Sequence, residues 1–348
     1  MGFFYSQLFV TPPLPTRPFT NETVIVTGAN TGLGLEAARH IARLGCSQLI
    51  LACRNTKAGE TAKQSILASL PTSTPKSSIP EIQVWPLDLS SYASITAFAT
   101  RCTTSLPRLD ALLASAGIAT AKWSLLEGHE SSITVNVLGT FLLCLLLIPK
   151  LESTAKQYSQ TTDLPPRISI VSSEVHKHTL FTQQHADNIF AALDEGPLDA
   201  QGKNVLADRY PVSKLLQILL ARYGLAPRLT QQGSPVVVNY LSPGLCQSEL
   251  NREGNMVVRI MKAIFGRTAE VGGRILAAGV GAAVDGKEGV RLFGEGHGKY
   301  MRDGVFDDGD LGQWAASEEG RKVGERLWAE MLEILEHVDG VEGLKRWE

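Results

Sequence analysis

The chain has 348 residues, a length that allows one large domain or two small ones. Hydrophobic residues make up 44% of the chain and charged residues 20%, as in an ordinary soluble globular enzyme. The formal net charge of −2 gives no electrostatic reason to expect nucleic acid or an anionic membrane as a partner.

The N-terminal residues 1–22 are expected to form an apolar arm that packs on the following domain and ends in a proline-rich stretch, residues 12–18. This arm lacks the basic segment and the small-residue cleavage site of a signal peptide. Gly2 and Ser6 fit the loose pattern for N-myristoylation, so lipidation stays open as an alternative.

The longest apolar run, residues 137–149, is shorter than the roughly 20 residues that span a membrane. A core helix is therefore the better interpretation, and no transmembrane segment is expected. The cysteines are scattered and form no C-x-x-C pair, which favours reduced thiols in a cytoplasmic protein over a disulfide framework. They are Cys46, Cys53, Cys102, Cys144 and Cys246.

From Thr23 onward, strand-like segments alternate with helix-like segments. Such alternation implies right-handed crossovers and a parallel sheet covered on both faces. We expect one Rossmann-type, doubly wound α/β domain of about seven strands over residues 23–308, and a C-terminal segment, 309–348, whose amphipathic helix packs on that domain. The predicted strands are 23–28, 47–53, 82–89, 109–117, 167–173, 236–244 and 289–293, and the predicted helices are 34–44, 56–70, a segment capped by Ser90 or Ser91, 130–151, 210–226 and 317–337.

The first predicted strand runs directly into a glycine-rich turn, Thr27 to Gly34 (T-G-A-N-T-G-L-G), and a predicted helix follows. Glycine is needed where a chain turns sharply and where backbone N–H groups must approach a pyrophosphate without an intervening side chain. The helix N-terminus adds partial positive charge facing that phosphate. This context predicts a dinucleotide site, with a tight turn that binds no ligand as the alternative.

The end of the second predicted strand indicates which dinucleotide binds. An acidic residue there accepts hydrogen bonds from the ribose 2′-OH of NAD(H), whereas arginine accommodates the 2′-phosphate of NADP(H). No carboxylate lies between Ile50 and Thr56, Arg54 offers a planar set of donors, and Lys57 is close enough in sequence to assist. The sequence favours NADP(H), although Arg54 alone could be a solvated surface charge.

Tyr210 and Lys214 have Tyr-x-x-x-Lys spacing, which puts both side chains on one face of a helix. A nearby cation stabilises phenolate and lowers the pKa of tyrosine from about 10 toward the range useful for proton transfer. Pro211 suits a first helical turn, so Tyr210 is predicted to lie at the helix mouth. The spacing alone occurs often by chance, and an exposed pair on one helix face is the alternative.

Three further features accompany this pair. Ser172 and Ser173 close the fifth predicted strand, where a hydroxyl can donate to a substrate oxygen as negative charge develops. Asn136 is a lone amide in an apolar helix, and a buried amide must be hydrogen-bonded. A Pro243-Gly244 turn follows the sixth predicted strand.

This order of landmarks resembles the short-chain dehydrogenase/reductase family over about residues 23–293, and looks closest to its retinol-dehydrogenase-like branch in filamentous fungi. The resemblance implies that Ser173, Tyr210, Lys214 and Asn136 are catalytic, with a water relay linking Asn136 to Lys214. It also implies that Asp88 contacts the adenine, for which helix capping is the alternative. The residues expected to bind the cofactor are Gly28, Asn30, Thr31, Gly32, Leu33, Gly34, Arg54, Lys57, Asp88, Leu89, Ala116, Gly117, Tyr210, Lys214, Pro243, Gly244, Cys246 and Ser248.

Two departures from the family pattern stand out. The fourth predicted strand ends in Ser115-Ala116-Gly117, where the family usually has N-N-A-G, so both asparagines are missing. Segment 174–209 is longer than in simpler members and is predicted to be an insertion that forms a substrate lid or wall. His176 and His178 lie in it without a third ligand, so they are predicted to be surface residues, and no metal is expected.

We therefore expect an NADP(H)-dependent oxidoreductase that interconverts a secondary alcohol and a ketone or aldehyde on a small, apolar metabolite in fungal secondary metabolism. In the reductive direction Tyr210 would give the proton while Ser173 holds the substrate oxygen and Lys214 stabilises the phenolate. A catalytically silent NADP-binding regulatory protein and a membrane-attached retinol- or lipid-type dehydrogenase are the alternatives. The resemblance also allows a homodimer formed by helix pairing.

Overall fold

The computed structural model describes residues 3–158, 160, 164–198, 202, 204–247, 265–281, 296–306 and 308–348. Its strands are β1 (Thr23–Thr27), β2 (Gln48–Cys53), β3 (Glu81–Pro86), β4 (Ala111–Ala114), β5 (Leu125–Leu126), β6 (His129–Glu130), β7 (Arg167–Val171), β8 (Val237–Ser242), β9 (Tyr300–Arg302) and β10 (Val305–Phe306). β5 and β6 form a separate hairpin, and the other eight form one sheet in the order β10-β9-β8-β7-β4-β1-β2-β3. Every pairing in this sheet is parallel except that of β10 with β9.

The predicted single α/β domain with a mostly parallel sheet is confirmed, but the count of about seven strands is wrong, because the described residues alone form a sheet of eight. The last two strands are three and two residues long, too short for a periodic pattern. Asp303 and Gly304 between them both have positive φ, 52° and 82°, and Asp-Gly is typical of a two-residue hairpin turn. The predicted strand 289–293 lies outside the described residues.

Helices cover both faces of the sheet. Alternate residues of β1 point to opposite faces, so Ile25 packs into one core and Val24 and Val26 into the other. The helices are α1 (Phe3–Phe9), α2 (Gly32–Arg43), α3 (Thr56–Ala68), α4 (Tyr92–Ser105), α5 (Ser131–Tyr158), α6 (Ile189–Asp194), α7 (Leu206–Leu219), α8 (Ala226–Gln231), α9 (Ala269–Gly281) and α10 (Glu318–Glu336). The first core includes side chains from α4, α5, α7 and α10, and the second includes side chains from α2 and α9.

α5 is 28 residues long and apolar enough to cross a membrane, but 94% of its most apolar stretch is buried inside the protein. That burial is what a core helix requires. The helix continues past the predicted end at residue 151, with Pro149 inside it. Its Thr134–Leu138 turn is π-helical and contains Asn136, and such turns are frequent at functional sites.

α7 begins at Leu206, four residues before the predicted start. Asn204 Oδ1 accepts a hydrogen bond from the Leu206 N–H at 2.9 Å, which satisfies one of the backbone donors at the new N-terminus. The carboxylate of Asp208 lies in the first turn, where negative charge is favourable. The prediction that Tyr210 lies at the helix mouth is therefore wrong, since Tyr210 and Pro211 lie inside the helix.

Candidate active site

The glycine-rich turn between β1 and α2 forms one side of the site. Gly28 and Gly32 have positive φ, 67° and 58°, a conformation that other residues rarely adopt. A Cβ on Gly34 would lie 2.5 Å from the carbonyl oxygen of Gly28, so the turn is tightly closed. α2 begins at Gly32, which places its unpaired first-turn N–H groups in the turn, as a pyrophosphate site requires.

The end of β4 lies beside this turn and is fastened to it by Ser115. Ser115 Oγ donates to the Thr27 carbonyl oxygen at 2.5 Å, and Thr27 Oγ1 accepts from the N–H groups of Ser115 and Ala116 at 3.0 and 2.9 Å. A Cβ on Gly28 would lie 3.0 Å from Ala116 Cα. The serine thus joins β4 to β1 without the asparagines that the family pattern supplies.

The end of β2 offers two cationic side chains to an anion. Arg54 and Lys57 are exposed, and neither side chain makes a hydrogen bond or an ion pair with a described residue. Between them Asn55 caps α3, accepting from the Ala58 N–H at 3.0 Å. The helix N-terminus and both cations therefore lie within four positions of one another in sequence.

Asp88 follows β3 and organises the start of α4. Its Oδ1 accepts from the N–H and Oγ of Ser90 at 3.0 and 2.6 Å, whereas Ser91 is the residue that caps α4. The adenine contact of Asp88 stays a prediction. The side chain of Leu89 is buried in the core, and its carbonyl oxygen packs against Gly139, so its contact with the cofactor stays a prediction.

Lys214 is buried, with 4% of its surface exposed, and its ammonium has only neutral partners among the described residues. Nζ donates to the Val171 carbonyl oxygen at 2.9 Å and to Gln217 Oε1 at 3.0 Å. Burial lowers the pKa of Lys214 to about 7. The third N–H of the ammonium is not used by these two bonds.

Asn136 is fully buried and holds the segment that follows β4. Its Oδ1 accepts from the Ile118 N–H at 2.8 Å, and its Nδ2 donates to the Ile118 carbonyl oxygen and to Ser213 Oγ, each at 2.9 Å. A Cβ on Gly117 would lie 3.0 Å from Asn136 Oδ1 and 3.6 Å from Lys214 Nζ. Gly117 therefore lies directly against the amide and the ammonium, and a side chain at this position would crowd the amide oxygen.

Tyr210 lies beside Lys214. Lys214 Nζ lies 5.6 Å from the centroid of the Tyr210 ring. The sequence led us to expect a lowered pKa for Tyr210, but burial raises this pKa to about 12, and a hydrogen bond with Ser173 opposes that rise. Ser172 has a different role, because its Oγ donates to the Lys214 carbonyl oxygen at 2.8 Å and so fastens α7 to β7. The structure thus brings the four predicted catalytic residues together, because Ser173 bonds Tyr210, Tyr210 faces Lys214, and Gly117 lies against Lys214 and Asn136.

The Pro243-Gly244 turn after β8 packs against the N-terminal helix. Gly244 has φ 74°, and a Cβ there would lie 2.4 Å from Gln7 Oε1. Gln7 accepts from the Leu245 N–H at 3.3 Å and donates to the Leu245 carbonyl oxygen at 2.9 Å. Cys246 is buried and its Sγ lies 3.4 Å from the Pro243 carbonyl oxygen. The predicted residue Ser248 lies outside the described residues.

Comparison with known proteins decides the family. A family model for short chain dehydrogenase matches residues 22–159. The chain is 40% identical over 341 residues to the short chain dehydrogenase/reductase dmxR8 of Cryptosporiopsis sp. (strain 8999), covering 97% of this chain and 98% of that relative. The chain belongs to the short-chain dehydrogenase/reductase family.

Two further proteins show how far this likeness extends. The short chain dehydrogenase atnD of Emericella nidulans is 42% identical over 305 residues, covering 86% of this dehydrogenase and 90% of the relative. The solved Pseudomonas aeruginosa RhlG/NADP active-site complex has the same fold, with a TM-score of 0.58 and 21% identity over 85% of this chain and 99% of that one.

His176 corrects one prediction. It is buried, with 3% exposed, although we predicted a surface residue, because the short helix Glu174–His178 turns inward directly after β7. Its ring nitrogens lie 2.6 Å from the Ser173 carbonyl oxygen and 2.8 Å from the Leu311 carbonyl oxygen. In this dehydrogenase His176 therefore links the backbone of Ser173 to the C-terminal segment, while His178 is exposed. Within the part of the chain that the structure describes, no group of three or more metal-ligating side chains lies close enough to hold an ion.

The described part of segment 174–209 is fastened to α10. Glu330 accepts from the N–H groups of Ile189 and Phe190 at 2.8 and 3.3 Å. Arg326 donates to the carbonyl oxygens of Gln184 and Ala186 at 3.0 and 2.8 Å. These bonds fasten residues 184–190 to α10, and the role of segment 174–209 as a substrate lid or wall stays a prediction.

Proposed function

We propose that the chain is an NADP(H)-dependent oxidoreductase that interconverts a secondary alcohol and a ketone or aldehyde on a small, apolar metabolite in fungal secondary metabolism. The observation that carries this proposal is the proximity of Ser173 to Tyr210 and of Tyr210 to Lys214. The glycine-rich turn lies at the same edge of the sheet, since β1, β4 and β7 are parallel and end there. Fungal relatives that match nearly the whole chain support the metabolic assignment.

The residues present fit an NADP(H) molecule. The positive-φ glycines leave backbone N–H groups accessible to a pyrophosphate, and Gly117 brings the backbone after β4 close to Lys214 without a side chain between them. Arg54 and Lys57 have no competing partner among the described residues and can bind a 2′-phosphate. The absence of a carboxylate at the end of β2 and a structural neighbour solved with NADP support this choice over NAD(H).

The residues of the chain would act on the substrate oxygen and its proton. NADPH, when bound, supplies the hydride. Ser173 and Tyr210 hydrogen-bond the carbonyl oxygen, which positions it and stabilises the negative charge that develops. Because burial raises the pKa of Tyr210 to about 12, the phenol carries its proton at neutral pH and can donate it in the reductive direction. The ammonium of Lys214 then stabilises the phenolate that remains.

Tyr210→Phe tests the proposal. This variant keeps the ring and removes the proton donor, so we expect carbonyl reduction across a panel of ketones and aldehydes to fall by about 10²–10⁴-fold while NADPH binding is retained. Tyr223→Phe is the matched control, because its hydroxyl donates to the Ala315 carbonyl oxygen at 2.8 Å, in the C-terminal region. Near-normal turnover by Tyr210→Phe would overturn the assignment. NADPH binding by the wild type without turnover of any carbonyl would instead support the silent regulatory protein.

Membrane attachment has one observation in its favour. α1 turns Ser6 and Gln7 inward and leaves Phe4, Leu8 and Phe9 exposed by 54, 52 and 72%. An uncharged, aromatic helix face is able to enter the interfacial region of a bilayer. Flotation with phosphatidylcholine vesicles tests this: flotation of the wild type that Phe4→Ser/Phe9→Ser abolishes would support attachment, and failure of the wild type to float would exclude it under these conditions.

A further inference from the structure

Gln217 is a fully buried amide on α7, one turn beyond Lys214. Its Oε1 accepts from Lys214 Nζ at 3.0 Å, and its Nε2 donates to the Asn136 carbonyl oxygen at 2.6 Å. One side chain therefore connects the ammonium to the backbone of the π-helical turn in α5. The direct contacts place Gln217 where the family resemblance implied a water molecule between Lys214 and Asn136.

The surroundings of Lys214 are otherwise neutral. Tyr210 is the titratable group that faces it from α7. The described groups that face it from β7, α5 and the segment after β4 are the Val171 carbonyl oxygen, the Asn136 turn and Gly117. With no carboxylate in this set, the carbonyl dipoles of Val171 and Gln217 are what stabilise the buried cation.

We infer that Gln217 is a positioning residue that holds the Lys214 ammonium toward Tyr210 and replaces the water relay to Asn136. A primary amide accepts one hydrogen bond and donates another, but it does not release its own proton at neutral pH, so it does not pass a proton from Asn136 to Lys214. Tyr210, which is partly exposed, would then take up its proton from solvent. The role of Gln217 in catalysis rests on the proposed function. The bridge that Gln217 forms between Lys214 and the Asn136 carbonyl oxygen does not.

Two substitutions of Gln217 have opposite expected effects. Gln217→Leu removes an acceptor from Lys214 and should lower the pKa of the ammonium by about 1 unit, because its charged form loses a stabilising dipole. Gln217→Glu places a carboxylate beside Nζ and should raise that pKa by about 1 unit or more. Ile218→Val is the matched control, since it makes a small change in the core at the next position, which is equally buried on the same helix.

The pKa of Lys214 can be measured without a substrate. Protein labelled with ¹³C at lysine Cε is titrated by NMR, and Lys214→Met identifies the resonance. We expect the midpoint to move down in Gln217→Leu, up in Gln217→Glu, and to stay in place in Ile218→Val. A merely structural role for Gln217 would move the midpoint in neither direction or in the same direction in both variants, and either result would overturn the inference.

Kinetics separates this inference from the proposed function. If the enzyme reduces a carbonyl with NADPH, the fall of kcat at alkaline pH should shift in the same directions as the NMR midpoints. One pH unit above the wild-type midpoint, kcat should fall about tenfold in Gln217→Leu and rise about fivefold in Gln217→Glu. NMR shifts without turnover by the wild type would contradict the proposed function and leave the bridge established. Turnover with unchanged NMR midpoints would overturn the role of Gln217 and leave the proposed function intact.

Discussion

Replacing Lys214 by methionine removes a buried cation that has only neutral partners among the described residues. Burial lowers the pKa of Lys214 to about 7, whereas lysine in an unfolded chain titrates near about 10.4. Between these values the unfolded chain binds a proton that the folded protein has released, so the free energy of unfolding rises with pH. The slope from this one group approaches about 1.4 kcal/mol per pH unit.

Between pH 7 and pH 9 the free energy of unfolding of the wild type should therefore rise by about 2 kcal/mol more than that of Lys214→Met. Both proteins share the other titratable groups, so the difference between their unfolding free energies isolates the lysine. Urea denaturation at pH 7, 8 and 9 measures it, and below about pH 6, where the lysine is protonated in both states, the difference should level off. A difference that stays constant from pH 7 to 9 would refute the reasoning, because it would mean that the ammonium is hydrated in the folded protein.

Three further predictions follow from particular contacts. Arg54→Ala should weaken NADPH binding about tenfold through loss of a charge-assisted hydrogen bond and leave NADH binding unchanged, as measured by cofactor fluorescence. Equal weakening of both would contradict the 2′-phosphate assignment, and Lys63→Ala on α3, the helix that follows Arg54, is the control. Gly224→Ala would place a Cβ 2.0 Å from Cε3 of buried Trp328. We therefore expect the free energy of unfolding, measured by urea titration, to fall by about 1–3 kcal/mol, although alanine favours a helix more than glycine does. A rise in that free energy would contradict the close packing. Because α10 covers α7, we expect light scattering to report a monomer at micromolar concentration, and a stable dimer would show that another surface pairs.

The parts of the site that follow from local rules could be predicted from the sequence. Tyr210 and Lys214 are one turn apart on a helix, so their proximity needs no tertiary information. Ser173 and Gly28 follow strands of a parallel sheet, and the carboxyl ends of such strands meet at one edge. The start of α7 was missed although Asn204 gave a local signal for it, since an asparagine two residues before a helical run can accept from its first N–H groups.

Residues whose roles depend on what packs across from them could not be predicted in this way. Gln7 contacts the Pro-Gly turn from 238 positions away, and nothing near it in sequence indicates that partner. His176 is buried because its ring meets the carbonyl oxygen of Leu311, which belongs to the C-terminal segment. Gln217 did carry a signal, since it is a lone amide among the leucines and isoleucine that follow Lys214, and a buried amide requires partners.

Two expectations from the sequence compete for one surface. The resemblance allowed helix pairing into a homodimer, and the amphipathic pattern of residues 317–337 predicted a helix docked on its own domain. In the structure α10 buries Leu327 and Trp328 completely, and these side chains share a core with Leu216 and Leu219 of α7. Every residue from Val212 to Leu219 is buried within this one chain, so α7 has no apolar face left to pair with a second copy. The C-terminal helix thus supplies the cover that α7 needs, and the burial of Lys214 does not require a partner subunit.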